Sequence, residues 1–177
     1  MPSPLPLPPG IPGIRALFTA FPDTAGPLVG LAQAVLRGPS PLTPAERELL
    51  ATAVSAANDC AFCARSHGAA ARALLGDQGP WIDTILAGSI PKSLPSRLAA
   101  LTALAVQTAR SGHAVGPEDF ARTRAAGATD REIHDAVLVA STFSLYNRYV
   151  TTLGAPEPED PSTYGPMGDR LARTGYV

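Results

Sequence analysis

Across the middle of the chain apolar residues recur every three or four positions, the spacing of helices that bury one face. No run alternates with the period of two that a strand requires. The pattern predicts a first helix from about Ala25 to Leu36. A second opens at Thr43-Pro44-Ala45-Glu46, where a capping threonine, a proline at the first helical position and a glutamate that reaches back form a capping box. It runs to about Ala57, where Asn58-Asp59 ends it and caps the next helix, from Cys60 to about Leu75 before Gly76. Further helices are expected at Trp81 to Ala87, Pro95 to Arg110, Pro117 to Ala126 and Arg131 to Leu153, the last with its own box at Thr129-Asp130-Arg131-Glu132.

Proline sets the outer limits. Pro2, Pro4, Pro6, Pro8, Pro9 and Pro12 make residues 1–13 an extended arm that cannot be helical, either frayed or lying across a neighbouring subunit. Pro156, Pro158, Pro161 and Pro166 mark residues 155–177 as an irregular tail with at most a short helix near Arg170. The expectation is one all-α domain over residues 1–177 with a helical core at 14–154, since 177 residues suffice for one buried core.

Composition narrows the function. Fourteen basic against fifteen acidic residues leave no basic stripe for a nucleic-acid backbone. Charged residues make up 16%, below the roughly 25% of average soluble domains, which suits close helix packing or an oligomer. The longest apolar stretches, such as Leu98 to Ala109, fall short of the ~20 residues that span a bilayer, and the proline-broken start does not read as a secretory signal. No nucleic-acid or membrane partner is expected, and the location is read as cytoplasmic.

The chemistry lies in the only two cysteines, which form Cys60-x-x-Cys63-x-x-x-His67. A bridge across so short a gap constrains the unfolded chain little, so redox chemistry or metal binding explains the pair better than a structural staple. At about 100° per residue, Cys60, Cys63 and His67 fall within about 60° of arc on one helix face. Helix starts and neighbouring histidines lower thiol pKa values from about 8.5. Arg65 points to the other side.

Glu48 joins through the turn at Asn58-Asp59. On a continuous helix it would stand about 18 Å from Cys60; folded back, it lies within a turn of the position opposite His67. Glu48, Thr52 and Ser55 form the polar stripe of an otherwise apolar helix. A carboxylate beside a histidine beside a thiol is a proton relay. On position alone the Glu46-Arg47-Glu48 run reads as a solvated face, and His67 as a structural histidine. Cys60, Cys63 and His67 give zinc three ligands where a structural site wants four, and c-type haem would need histidine where Ala64 stands. Phe143, Tyr146 and Asn147 read as core before pocket, His113 and His134 as solvated, and Trp81 as packing against the cysteine helix.

The runs Leu42-Thr43-Pro44-Ala45-Glu46-Arg47-Glu48-Leu49, Val54-Ser55-Ala56-Ala57-Asn58-Asp59-Cys60-Ala61-Phe62-Cys63 and Ser66-His67 resemble the AhpD-like alkylhydroperoxidase branch of the carboxymuconolactone decarboxylase superfamily, within its peroxidase-related group. Ala125-Ala126-Gly127, Asp130-Arg131-Glu132-Ile133 and Tyr146-Asn147-Arg148 extend the likeness over about residues 10–155. The resemblance implies an AhpD-like helical bundle forming homo-oligomers, often trimers or hexamers, with the motif near a subunit interface. It implies that Cys63 attacks a hydroperoxide, that Cys60 resolves the sulfenic acid to a disulfide, and that Glu48 and His67 carry the relay. An external dithiol, a reductant protein or a lipoyl-type donor, would then restore the thiols, with no bound cofactor or metal. The best-known members carry a histidine just before the second cysteine, where this chain has Phe62. The reading is a thiol-dependent peroxidase acting on organic or hydrogen peroxide. The alternatives are a non-enzymatic redox sensor of the same fold and decarboxylase-type chemistry.

Overall fold

The computed structural model describes residues 3–177, and these contain no strand. Met1 and Pro2, the first positions of the expected arm, lie outside the described residues. The helices are α1 (Ile14–Ala20), α2 (Pro22–Arg37), α3 (Pro44–Ala57), α4 (Ala61–Leu75), α5 (Trp81–Leu86), α6 (Ser96–Arg110), α7 (Pro117–Ala125), α8 (Asp130–Thr152) and α9 (Tyr164–Thr174).

The centre is α3. Every residue from Arg47 to Ser55 is buried, and the helix packs against α4, α8, α6 and α5. Leu50 and Val54 join Leu101, Leu104, Val139 and Phe143 in the main core. Leu49 and Ala53, on another face, meet Ile82, Ile85, Leu94 and Leu98. A helix covered all round carries its polar stripe inside with it, so Glu48, Thr52 and Ser55 are buried by their neighbours' packing. The expected capping box starts this helix: the Thr43 hydroxyl accepts from the Glu46 N–H, and the Glu46 carboxylate from the Thr43 N–H. The box at Thr129 and Glu132 starts α8 in the same way.

Four expectations need correction. The segment Ile14–Ala20 is helical; it is only seven residues long, flanked by Gly13 and Pro22, and its Gly13 N-cap makes no side-chain bond that would mark a start. The next helix begins at Pro22 rather than Ala25, because proline at a first helical position lacks only an N–H that needs no partner. From Ser3 onward the arm is not frayed but lies on its own chain: the Ser3 hydroxyl donates to the Leu153 carbonyl, the Gly13 N–H donates to the Pro156 carbonyl, and Leu7 packs beside Leu17 and Tyr164. The tail carries a three-turn helix, α9, in place of a short stretch near Arg170.

That last helix docks along α4 with its backbone nearly touching. A Cβ on Gly168 would stand 2.4 Å from the Ala69 carbonyl carbon, so only glycine permits the contact. Trp81 packs in the cluster that includes Ala71 of α4, as expected, and its indole N–H donates to Ser93. No described helix is long and apolar enough to cross a membrane.

Candidate functional site

The α3–α4 hairpin assembles the site. The chain reverses at Asn58 and Asp59, and Asp59 takes the left-handed conformation, with φ at 53°, that a short polar residue tolerates. Neither residue caps α4, as the sequence reading expected; Cys60 itself occupies the N-cap position, without a capping hydrogen bond, and Cys63 lies in the first turn. The Asn58 amide donates to the Asn147 side-chain carbonyl at 3.0 Å, and the Asn147 amide donates to Ser55 at 3.0 Å, tying the turn to α8.

Antiparallel packing then brings Glu48 of α3 to His67 of α4. Glu48 has no solvent exposure, and the His67 Nδ1–H donates to its Oε2 at 2.8 Å. Two further donors converge on Oε1: Arg37 Nη2 at 2.6 Å and the Tyr176 hydroxyl at 2.7 Å. Burial alone would raise the Glu48 pKa; the bonds from His67, Arg37 and Tyr176 outweigh it and hold the carboxyl below its ordinary value. An ionised carboxylate is acceptor-only, so all three partners act as donors and the His67 Nε2 is left to face elsewhere. The ring stands edge-on to Phe143, with centroids 4.5 Å apart, and stacks beside Tyr176.

Tyr176 arrives from just beyond α9. Gly175, with φ at 71° and ψ at −147°, ends α9 in a conformation open almost only to glycine and turns the next residue inward. The Tyr176 N–H donates to the Gln33 side chain at 2.8 Å, and the Arg37 guanidinium lies 5.2 Å from the ring centre. Burial first, and the Glu48 charge second, push the phenol well above its ordinary pKa, so it remains a proton donor.

The two thiols are free and buried. The adjacent Cys63 thiol, helped by its backbone N–H and the Asn147 amide, lowers the Cys60 pKa against the opposing cost of burial. The same neighbour and its own burial push Cys63 up, so any single negative charge rests on Cys60. Cys63 and His67 line one small space of about 70 Å³ with Phe62, Phe143 and Tyr146. Among the described residues no hydrogen bond joins the His67 ring to either sulfur, and no group of three or more His, Cys, Asp or Glu is placed to hold a metal ion.

All four sequence-predicted residues therefore sit in one region, in two halves: Glu48 with His67, and Cys60 with Cys63. Sequence reasoning missed Arg37 and Tyr176. Asn147, first read as core, touches the thiol turn. His113 and His134 are exposed, and Arg65 pairs with Glu157 at the surface.

The model of the carboxymuconolactone decarboxylase family matches residues 22–105. The fold is similar to that of a peroxidase-related protein from Ralstonia eutropha JMP134, described as an alkylhydroperoxidase AhpD core, with a TM-score of 0.78 at 28% identity over 90% of this chain and 82% of that one. Over residues 22–105 the chain is similar to the carboxymuconolactone decarboxylase family, and its fold is that of the AhpD core. Two other structures share this fold: a peroxidase-related protein from Silicibacter sp. TM1040 (TM-score 0.75, 23% identity, 88% and 79% covered) and a putative antioxidant defence protein AhpD from Agrobacterium tumefaciens (0.67, 20%, 81% and 97%). No curated protein matches the sequence. Within this AhpD-like frame Phe62 is an apolar wall, its ring against Tyr164 and over Gly13.

Proposed function

We propose that the chain is a thiol-dependent peroxidase that reduces hydroperoxides through Cys60 and Cys63, with Glu48 and His67 as the proton relay. The observation that supports this most is the buried Glu48 holding His67 at 2.8 Å beside a space that Cys63 also lines. A water needs only about 10–15 Å³ of such space, so about 70 Å³ leaves room for a peroxide group.

In the proposed cycle the proton on Cys63 passes to Cys60, and the Cys63 thiolate attacks the outer peroxide oxygen. The S–O bond forms as the O–O bond breaks, and the alkoxide leaves as alcohol with a proton from His67. Cys60 then attacks the Cys63 sulfenic acid; the S–S bond forms, and hydroxide departs with the Cys60 proton as water. Two electrons pass from the thiols to the peroxide, and an external dithiol, a reductant protein or lipoyl-type donor, restores them. No bound cofactor takes part. A reducing, cytoplasmic setting and a homo-oligomer, trimer or hexamer, belong to the same proposal; Leu138 and Leu145, seven residues apart on α8 and each more than a third exposed, suit a subunit contact.

A redox sensor is the second reading, favoured by an apolar Phe62 beside Cys63 and by the raised Cys63 thiol. Incubation of reduced protein with excess cumene hydroperoxide and a dithiol separates the two. Continued peroxide loss, abolished by Cys63→Ser, supports the peroxidase; a single stoichiometric oxidation supports the sensor and overturns the enzyme.

A further inference from the structure

In front of the Cys63 space lies a larger cavity of about 500 Å³, and the two share Ile14, Phe18, Val29, Phe62, His67 and Tyr176. Hydrogen peroxide needs no such volume; clefts of about 300–1,000 Å³ are those that take organic molecules. Its walls come from several elements, among them α1 with Ile14, Arg15 and Phe18, then α2 and α4, and α9 with Met167, Arg170 and Leu171.

The charge on these walls has one sign. Arg15 and Arg170 line the cavity, both are exposed, neither is in an ion pair among the described residues, and no Asp or Glu is among the lining residues. Arg170 stands near enough to act on the Tyr176 phenol at the inner end. Ser66, buried on the α4 wall, has a hydroxyl without a partner. The cavity of about 600 Å³ that Cys60 lines carries no basic residue; its Glu157 pairs with Arg65, and Asp59 lines it as well. An anion is therefore drawn to the Cys63 side rather than to the Cys60 side.

We propose that the hydroperoxide taken by this site carries a carboxylate on an apolar body, with Arg15 and Arg170 holding the carboxylate and the aliphatic and aromatic walls guiding the peroxide end toward Cys63. This rests on the peroxidase reading for the chemistry, while the binding selectivity stands on its own. Guanidinium groups present paired donors that match a carboxylate.

Calorimetric titration of the reduced full-length protein with 4-isopropylbenzoate and with neutral 4-isopropylbenzamide tests binding without turnover. The acid is expected to bind roughly tenfold more tightly than the amide, and the preference should vanish in Arg15→Gln/Arg170→Gln protein whose melting temperature is unchanged. The same ratio should appear in kcat/KM for 4-(2-hydroperoxypropan-2-yl)benzoate against cumene hydroperoxide; linoleate hydroperoxide against its methyl ester tells whether fatty acids qualify as well as aromatic ones. Equal binding of acid and amide, or a preference that survives the double substitution, overturns the proposal. Arginine-dependent binding of the acid with no consumption of any hydroperoxide sustains the anion site and sinks the peroxidase reading instead.

Discussion

The Tyr176 hydroxyl donates to Glu48 Oε1 at 2.7 Å, although 128 positions separate the two residues. Tyr176 thus closes over the carboxylate that holds His67. The same hydroxyl lies 3.1 Å from His67 Nδ1, so it bears on both members of the pair.

Removing that hydroxyl should loosen the pair without emptying the space. Tyr176→Phe is expected to lower stability by about 1 kcal/mol, the usual net worth of one hydrogen bond, and to raise the Glu48 pKa by removing a donor. Thermal melts together with the acid limb of the oxidation rate against pH measure both effects.

The Glu48 carboxylate also ties stability to pH. Its folded pKa lies below the ordinary 4.5. A depressed carboxyl pKa contributes stability that is complete above the unfolded value and is lost as pH falls through the folded one. Denaturant melts of the wild type should therefore weaken on acidification below about pH 4.5, while Glu48→Gln should respond less. At neutral pH the same substitution leaves Arg37 without its charge partner and is expected to cost about 2–4 kcal/mol.

The thiols should not react alike. The Cys60 pKa is lowered from the ordinary 9.0 and that of Cys63 is raised. Iodoacetamide at pH 7–8, followed by peptide mass mapping, should mark Cys60 before Cys63. Preferential labelling of Cys63 would put the resting charge on the other sulfur.

Docking of α9 rests on Gly168. Since a Cβ there meets the Ala69 backbone at 2.4 Å, Gly168→Ala is expected to cost about 1–3 kcal/mol, as overpacking does. It should also slow peroxide oxidation by shifting Tyr176. Unchanged melting and unchanged rate would show that α9 does not hold the site together.

How far the sequence announces all this depends on whether its signals are local. The Thr43–Glu46 and Thr129–Glu132 boxes are complete within four residues, and both helix starts were readable. The reversal at Asn58-Asp59 was readable too, and with it the meeting of Glu48 and His67 across one hairpin. Whether Glu48 was buried or solvated was not, because that depends on α5, α6 and α8 covering α3 on all sides. Arg37 and Tyr176 were hidden for a related reason: each reaches Glu48 from a distant element, Arg37 from the last turn of α2 and Tyr176 from beyond α9. The proline-rich tail allowed no more than a short helix near Arg170, and what shows that α9 packs on α4 is a single glycine fitting against Ala69. The lowered Cys60 pKa likewise comes from contacts with Cys63 and Asn147 that spacing does not describe.

The most direct measurement is rapid mixing of fully reduced protein with one equivalent of cumene hydroperoxide, followed by intact mass and alcohol yield. The account predicts loss of two hydrogens per protomer as the Cys60–Cys63 disulfide forms, one alcohol released for each, and a rate about a hundredfold lower in Glu48→Gln, a size typical of lost general acid–base help. An unchanged protein mass, or a Glu48→Gln rate equal to that of the wild type, would contradict it.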